Sequence, residues 1–277
     1  MVKIVTDSSV LYTVEQGKEM NVDIMPLCVS IGDLQGRDTE ICLEDFYAHI
    51  RKGEHPVSSQ PPVGEVMEVF NKYPDEEVIC ISMADGLSGT YASASAIREQ
   101  IEHKDNITVI NSKTLCGPHR YMLEKAVKMQ QEGASAQEII DYLKWAADHN
   151  HSFLIPQDFD FLRRGGRLTP MAATLGSLLK LKPIMTPTPD GRQLEKHGVK
   201  RTMKAAINAI VDYYKSVGVC EKHKIYVSHA NTLADAEYAV AQLSEAFPGV
   251  EIEMLVLHAA FITQGGPYCI AIQYIEK

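Results

Sequence analysis

The sequence predicts an α/β protein of two domains, each built around a mostly parallel sheet. Short apolar runs that end in turn-forming residues alternate with stretches of helical periodicity along the chain, the pattern of parallel strands covered by helices on both faces. The length of 277 residues exceeds one average domain and falls short of three. Hydrophobic residues at 45% and charged residues at 23% are ordinary for a folded globular chain, and argue against disorder, collagen and coiled coil.

Residues 2–5 are the first apolar run, and Thr6-Asp7-Ser8-Ser9 then turns the chain and caps the helix expected after it. Residues 77–82 read as a buried strand, followed by small residues and a helix over 88–102 with Tyr91, Ala94, Ile97 and Ile101 on one face. Residues 107–110 form another strand, with helices expected over 123–131 and 136–147, separated by Gly133-Ala134-Ser135. A second region opens with a strand over 153–155 and a basic loop, Arg163-Arg164-Gly165-Gly166-Arg167. Residues 183–186 and 193–197, split by Pro189-Asp190-Gly191, read as a hairpin. A helix over 201–214, a strand over 224–228, a helix over 233–246 and strands over 251–256 and 269–274 complete the chain. No linker divides the halves, and the boundary is placed near residue 155, giving domains of 1–155 and 156–277.

Charge and composition exclude several classes. Lys and Arg total 27 against 36 Asp and Glu, a formal net charge of −9, which repels nucleic acid and anionic headgroups. The six cysteines, at 28, 42, 80, 116, 220 and 269, contain no C-x-x-C pair. They are expected to be reduced, mostly buried thiols of a cytoplasmic protein without a zinc site. No apolar run approaches the ~18 residues of a membrane span, and the first residues lack the apolar core of a signal peptide.

Chemistry is expected in four loops rich in hydroxyls: Thr6-Asp7-Ser8-Ser9, Ser58-Ser59-Gln60-Pro61, Leu87-Ser88-Gly89-Thr90 and Asn111-Ser112. At the carboxyl ends of parallel strands, such loops and the helix N-termini beside them form an anion-accepting crevice; alternatively, each hydroxyl only caps its own helix. Gly86-Leu87-Ser88-Gly89-Thr90 is one residue short of the G-x-S-x-G nucleophile elbow, since its fifth position is Thr. A serine hydrolase using Ser88, with His119, His229 or His258 as base, is therefore a competing reading. The basic residues at 163, 164 and 167, with Lys200 and Arg201, offer forked donors to an anion or an acidic partner.

Together these loops resemble the DegV family, which includes the FakB-type fatty-acid-binding subunits of bacterial fatty acid kinase. The resemblance rests on the four loops above together with Tyr91, Ala94, Leu162, Arg163 to Arg167, Leu181-Lys182-Pro183-Ile184 and Lys200-Arg201. It implies two α/β domains with one long-chain fatty acid in a crevice between them, and no cofactor beyond that ligand. It also implies a carrier rather than an enzyme: a separate ATP-dependent fatty acid kinase phosphorylates the carboxylate, and the acyl phosphate feeds phospholipid synthesis. By this resemblance the carboxylate is bound at Ser58, Ser59, Ser88, Gly89 and Gln264, and Arg163, Arg167 and Arg201 face the kinase. Three departures accompany it. Ser58 stands where the family often has threonine, which keeps the hydroxyl. Asn111-Ser112 stands where it often has Asp-Ser, and the following Cys116-Gly117-Pro118-His119-Arg120 is bulkier, which would shorten or bend the tunnel. Gln264-Gly265-Gly266-Pro267-Tyr268 replaces a family H-x-G-P-G. A carrier of another lipid or apolar carboxylate remains the nearest alternative.

Overall fold

The computed structural model describes residues 2–174 and 181–277, and the chain divides into two compact units, Met1–Asp148 and His149–Lys277. In the first unit, in chain order, lie β1 (Val2–Asp7), α1 (Val14–Glu19), β2 (Asp23–Met25), β3 (Cys28–Ile31), β4 (Leu34–Arg37), α2 (Leu43–Arg51), β5 (Val57–Ser59), α3 (Val63–Asn71), β6 (Glu77–Ser82), α4 (Thr90–Arg98), β7 (Ile107–Asn111), α5 (Gly117–Gln131) and α6 (Ala136–Asp148). The second holds β8 (Asn150–Ile155), α7 (Phe159–Gly165), α8 (Pro170–Ala173), β9 (Lys182–Pro187), β10 (Leu194–Lys200), α9 (Met203–Ser216), β11 (His223–His229), α10 (Leu233–Ala246), β12 (Glu251–Val256), α11 (Ala259–Gly265) and β13 (Ile270–Glu276).

The first unit has the expected parallel sheet, ordered β2-β1-β6-β7. β1 and β6 are buried along almost their whole length, as a strand covered on both faces must be. One face packs Val5, Val78, Cys80 and Ile107 against Val66 and Phe70 of α3 and Ala94 and Ile97 of α4. Helices α5 and α6 lie against β1, β6 and β7. Helix α5 begins six residues before its expected start, because Cys116 turns the chain at φ 55° and Pro118 sits in the first turn, where its missing N–H costs nothing.

A small antiparallel sheet, β4-β3-β5, also belongs to this unit and was not expected. Its β3–β4 hairpin turns on Gly32-Asp33, with Gly32 at φ 56°, a Gly-x two-residue turn.

The second unit departs from the parallel expectation. Its sheet runs β10-β9-β8-β13-β11-β12, and β11–β12 is parallel while the pairs β10–β9, β9–β8, β8–β13 and β13–β11 are antiparallel. Among the paired strands of this sheet, β11 and β12 are the ones joined through a long crossover helix, α10, which returns the chain to the same end of the sheet. Helices α9 and α10 bury Ile207, Ile210, Tyr214, Ala239 and Leu243 against Phe153, Ile225, Val227 and Ile272. Strand β8 pairs with β9 and β13, so residues 150–155 belong to the second unit and the division falls after Asp148, not after residue 155. The expected basic loop is in part the last turn of α7, capped at its start by Asp158, whose side chain accepts from Asp160 N.

None of the six cysteines forms a disulfide among the described residues. Cys80, Cys116 and Cys269 are buried, Cys28 and Cys220 half-buried, and Cys42 is exposed. No helix among the described residues is long and apolar enough to cross a membrane.

Candidate functional site

The loop that leaves β6 carries Ser88, and neighbouring strands hold it by its backbone. Asp7, fully buried at the end of β1, accepts from Ser9 N at 2.9 Å with one carboxylate oxygen and from Met83 N at 2.8 Å with the other. Asn111, at the end of β7, accepts through Oδ1 from Asp85 N at 3.2 Å and from Lys113 N at 2.9 Å. Thr114 O accepts from Ala84 N at 2.9 Å. Each N–H of this turn that finds such an acceptor is spared the desolvation cost of an orphan donor.

Beyond the turn, Ser88 Oγ lies 2.8 Å from Thr90 Oγ1 and accepts from Thr90 N at 3.2 Å. When the Thr90 hydroxyl donates as well, both lone pairs of Ser88 are occupied, and its own proton is left to donate outward. Helix α4 starts here with Gly89 as its N-cap and no side-chain cap. The result is a neutral donor at the start of a nine-residue helix.

Ser58 and Ser59 lie on β5, where Ser58 pairs with Val29 and Ser59 with Cys28. Side chains alternate along a strand, so the two serine side chains point to opposite faces, and Ser59 has its backbone N–H rather than its hydroxyl to offer a carboxylate held by the Ser58 hydroxyl. Continued one residue, the alternation puts Gln60 on the Ser58 side, and the Gln60 side chain reaches Gly89: a Cβ built there would lie 2.3 Å from Gln60 Oε1. The two expected loops therefore meet, and Ser58, Gln60, Ser88 and Gly89 form one neighbourhood. Gln60 was legible only as part of its motif.

The other two loops are internal. Thr6 Oγ1 donates to Ile81 O at 2.8 Å and lies 3.3 Å from His119 Nε2, while Ser9 Oγ lies 2.6 Å from His119 Nδ1. With the Thr6 proton spent on Ile81, His119 donates from Nε2 and accepts from Ser9, which is the neutral tautomer. Burial pushes the His119 pKa down, opposed by the Asp7 carboxylate and a backbone hydrogen bond at Ile81. Ser8 Oγ donates to Asp38 Oδ1 at 2.7 Å and accepts from Leu27 N at 2.9 Å. Ser112 Oγ donates to Thr114 O. Since Thr6 to Ser9 and His119 are buried, these hydroxyls fasten the sheet.

A hydrolase nucleophile needs a base on its hydroxyl. Among the described residues no histidine hydrogen-bonds to Ser88, whose partner is Thr90. Ser88 also lacks the positive φ that Gly86 adopts at 89°. Arg120, one of the bulky departures, stacks on the Tyr12 ring at 3.6 Å, donates to Leu11 O at 3.1 Å and lies 3.4 Å from Glu124.

In the second unit, Gln264 on α11 lies against Gly165 of α7, its Oε1 2.1 Å from where a Gly165 Cβ would stand. Arg163 is exposed and pairs with Asp160 at 2.9 Å. Arg167 donates to Gly165 O, and its own carbonyl accepts from Leu194 N at 2.8 Å at the start of β10. Arg201 is exposed just past Lys200 at the other end, where β10 meets Lys182 of β9. The seven residues of β10 put roughly 20 Å between those two backbones. Arg167 and Arg201 therefore do not form one patch. Among the described residues Arg201 has no ion pair, and no cluster suits a metal ion.

These features define a two-unit α/β protein whose first unit brings the Ser58-Gln60 and Ser88-Gly89 loops together. The family model described as "Uncharacterised protein, DegV family" matches residues 1–277, and the chain belongs to the DegV family. A DegV domain-containing protein of Listeria monocytogenes is 32% identical over 259 residues, covering 91% of this chain and 90% of that protein. One from Halalkalibacterium halodurans is 31% identical, covering 100% and 99%. Among solved structures, DegV from Bacillus subtilis, described as a fatty acid binding protein, matches with a TM-score of 0.85 at 29% identity, covering 100% of this chain and 99% of that one. A DegV family protein from Thermus thermophilus, described by its fatty acid binding, has the same fold, with a TM-score of 0.89 at 23% identity and coverage of 100% and 99%.

Proposed function

We propose that this protein is a cytoplasmic carrier that binds one long-chain fatty acid and presents its carboxylate to an ATP-dependent fatty acid kinase. The observation that carries the reading is the meeting of the Ser58-Gln60 and Ser88-Gly89 loops in a chain 29% identical over its whole length to a fatty acid binding protein. The two loops offer hydroxyls and an amide, which suits a carrier. A C16 tail buries ~14 methylenes, worth about 11 kcal/mol before ordering costs, so the head needs orientation more than grip. An arginine pair would bind the carboxylate more firmly but mask the oxygen that attacks the γ-phosphate of ATP to give acyl phosphate and ADP. Within this reading Ser58, Ser88 and Gly89 hold the carboxylate, and the fatty acid is the one ligand. The acyl phosphate product feeds phospholipid synthesis.

Native mass spectrometry of the purified chain, followed by lipid extraction, tests this directly. One fatty acid per chain is expected; a different apolar carboxylate would favour the alternative carrier, and turnover of an acyl ester would favour a hydrolase. Ser58→Ala and Ser88→Ala are each expected to weaken fatty acid binding by about 1.5–3 kcal/mol, one hydrogen bond to a charged group, with the fold intact by circular dichroism. A double variant that still supported phosphorylation like the parent would remove both from the head-group site.

Of the three arginines expected to face the kinase, Arg201 is the cleanest probe, because Arg163 and Arg167 are engaged with Asp160 and Gly165. Arg201→Glu is expected to suppress acyl phosphate formation by the cognate kinase and to leave fatty acid affinity unchanged, since rim charges act on partner encounter and register. Equal loss of both activities would place Arg201 in the fold or the pocket instead.

A further inference from the structure

Gly89 occupies a position whose backbone does not call for glycine. Its φ of −73° and ψ of 0° are open to every residue. What glycine supplies there is room. A Cβ at residue 89 would lie 2.3 Å from Gln60 Oε1 and 3.5 Å from Gln60 Cδ, and no other described residue distant in sequence comes within 4 Å of it. Among the described residues the space is taken by that side chain.

The orientation of that side chain follows from the chemistry of the contact. A glycine Cα–H is a weak donor and meets an acceptor, so the amide oxygen faces Gly89. The amide nitrogen lies more than 4 Å from the same point and is turned away. Gln60 is half-buried, and among the described residues its two N–H donors meet no hydrogen-bond acceptor. The backbone that presents them is stiff: Pro61 and Pro62 come directly after it, and a residue before proline is held extended. Ser88, whose proton is left to donate when the Thr90 hydroxyl donates to it, is the covalent neighbour of Gly89.

We infer that Gln60 is a further head-group-binding residue, that its amide N–H and the Ser88 O–H together select an ionised carboxylate, and that Gly89 is glycine in order to seat Gln60. This rests on the fatty acid reading and deepens it. Two neutral donors from the two loops that meet at Gly89 fit a group that only accepts, through two oxygens, as a carboxylate does. A primary alcohol has one oxygen to offer and brings a donor of its own, so it satisfies the pair less well.

The test is a double-mutant cycle on the full chain with two probes, hexadecanoate and hexadecanol. Gln60→Ala is expected to weaken hexadecanoate about tenfold, the size of one hydrogen bond to a charged acceptor, and hexadecanol less than about threefold. Gly89→Ala is expected to reproduce that selective loss by displacing the amide. The double variant is expected to be no weaker than either single one, because both changes remove the same contact. Independent losses that multiply to about a hundredfold, equal losses for both probes, or no loss would each overturn the assignment of Gln60. The backbone at Gly89 accepts alanine, and equal denaturant midpoints for the four proteins establish that the fold is retained. A parent that binds hexadecanol and hexadecanoate equally well overturns the selectivity while leaving a lipid carrier. A parent that binds neither overturns the fatty acid reading itself.

Discussion

Replacing Asp7 with alanine is expected to be the most damaging single change in the first unit. Its carboxylate is fully buried and accepts from Ser9 N and Met83 N, one on each oxygen. Removing it leaves two buried N–H groups without an acceptor, at about 1–3 kcal/mol each. The summed loss is on the order of 2–6 kcal/mol, a large share of the stability of an ordinary domain. Asp7→Asn keeps one acceptor oxygen and is expected to lose less. The midpoint of urea unfolding followed by circular dichroism measures both. Because Met83 begins the turn that carries Ser88, Asp7→Ala is also expected to weaken fatty acid binding under conditions where the chain is still folded. A loss below about 1 kcal/mol would show that water reaches these amides and that the turn is not anchored as described.

Acidification below pH 6.5 is expected to destabilise the second unit through His151. Burial, with the nearby His197 adding to it, pushes the His151 pKa down to about 4 from 6.5. The unfolded chain therefore takes up a proton near pH 6.5 that the folded chain refuses until about pH 4. Stability is complete above pH 6.5 and falls as the pH drops towards 4, because the unfolded state binds more protons across that window. At about 1.4 kcal/mol per unit, the loss is on the order of 2–3 kcal/mol once solvent contact is allowed for. His197 and His229, both pushed down by burial, act in the same direction. The ring of His151 stacks on Tyr213 at 5.4 Å and meets Phe153 edge-on at 4.7 Å, so His151→Phe retains an aromatic ring there and removes the titration. Denaturant midpoints for parent and variant between pH 7.5 and 4 decide the matter: a flatter profile for the variant is expected, and parallel profiles would locate the acid sensitivity elsewhere.

How much was legible in the sequence depended on how local the determinant was. β1, β6 and β7 each carry a short apolar run followed by turn residues, and the burial of β1 and β6 on both faces is written in their composition. β2, β3 and β5 have only three or four residues, too short for alternation to register, although Gly32-Asp33 before Leu34 is a hairpin cue in its own right. Strand direction in the second sheet was illegible for a different reason. It depends on where each connection returns the chain, and the short α11 brings β13 back antiparallel where α10 brings β12 back parallel. At the candidate site, the hydroxyls of Ser58 and Ser88 could be read from their motifs. That Ser59 faces away, and that Gln60 rests on Gly89, come from strand register and from a contact between distant loops. The separation of Arg167 from Arg201 arises in the same way from the β9–β10 hairpin between them.

The uneven burial of the cysteines sets how the molecule meets electrophiles and oxidants. Only the thiolate attacks, and burial raises the thiol pKa of Cys269 to about 12 and that of Cys80, where the Asp7 charge adds to the effect, higher still. At neutral pH both sulfurs are protonated and enclosed. Cys42 is exposed at the N-cap of α2, outside both large sheets. Alkylation or oxidation is therefore directed first to a surface turn, and the strands that form the two cores are chemically shielded by the same packing that stabilises them.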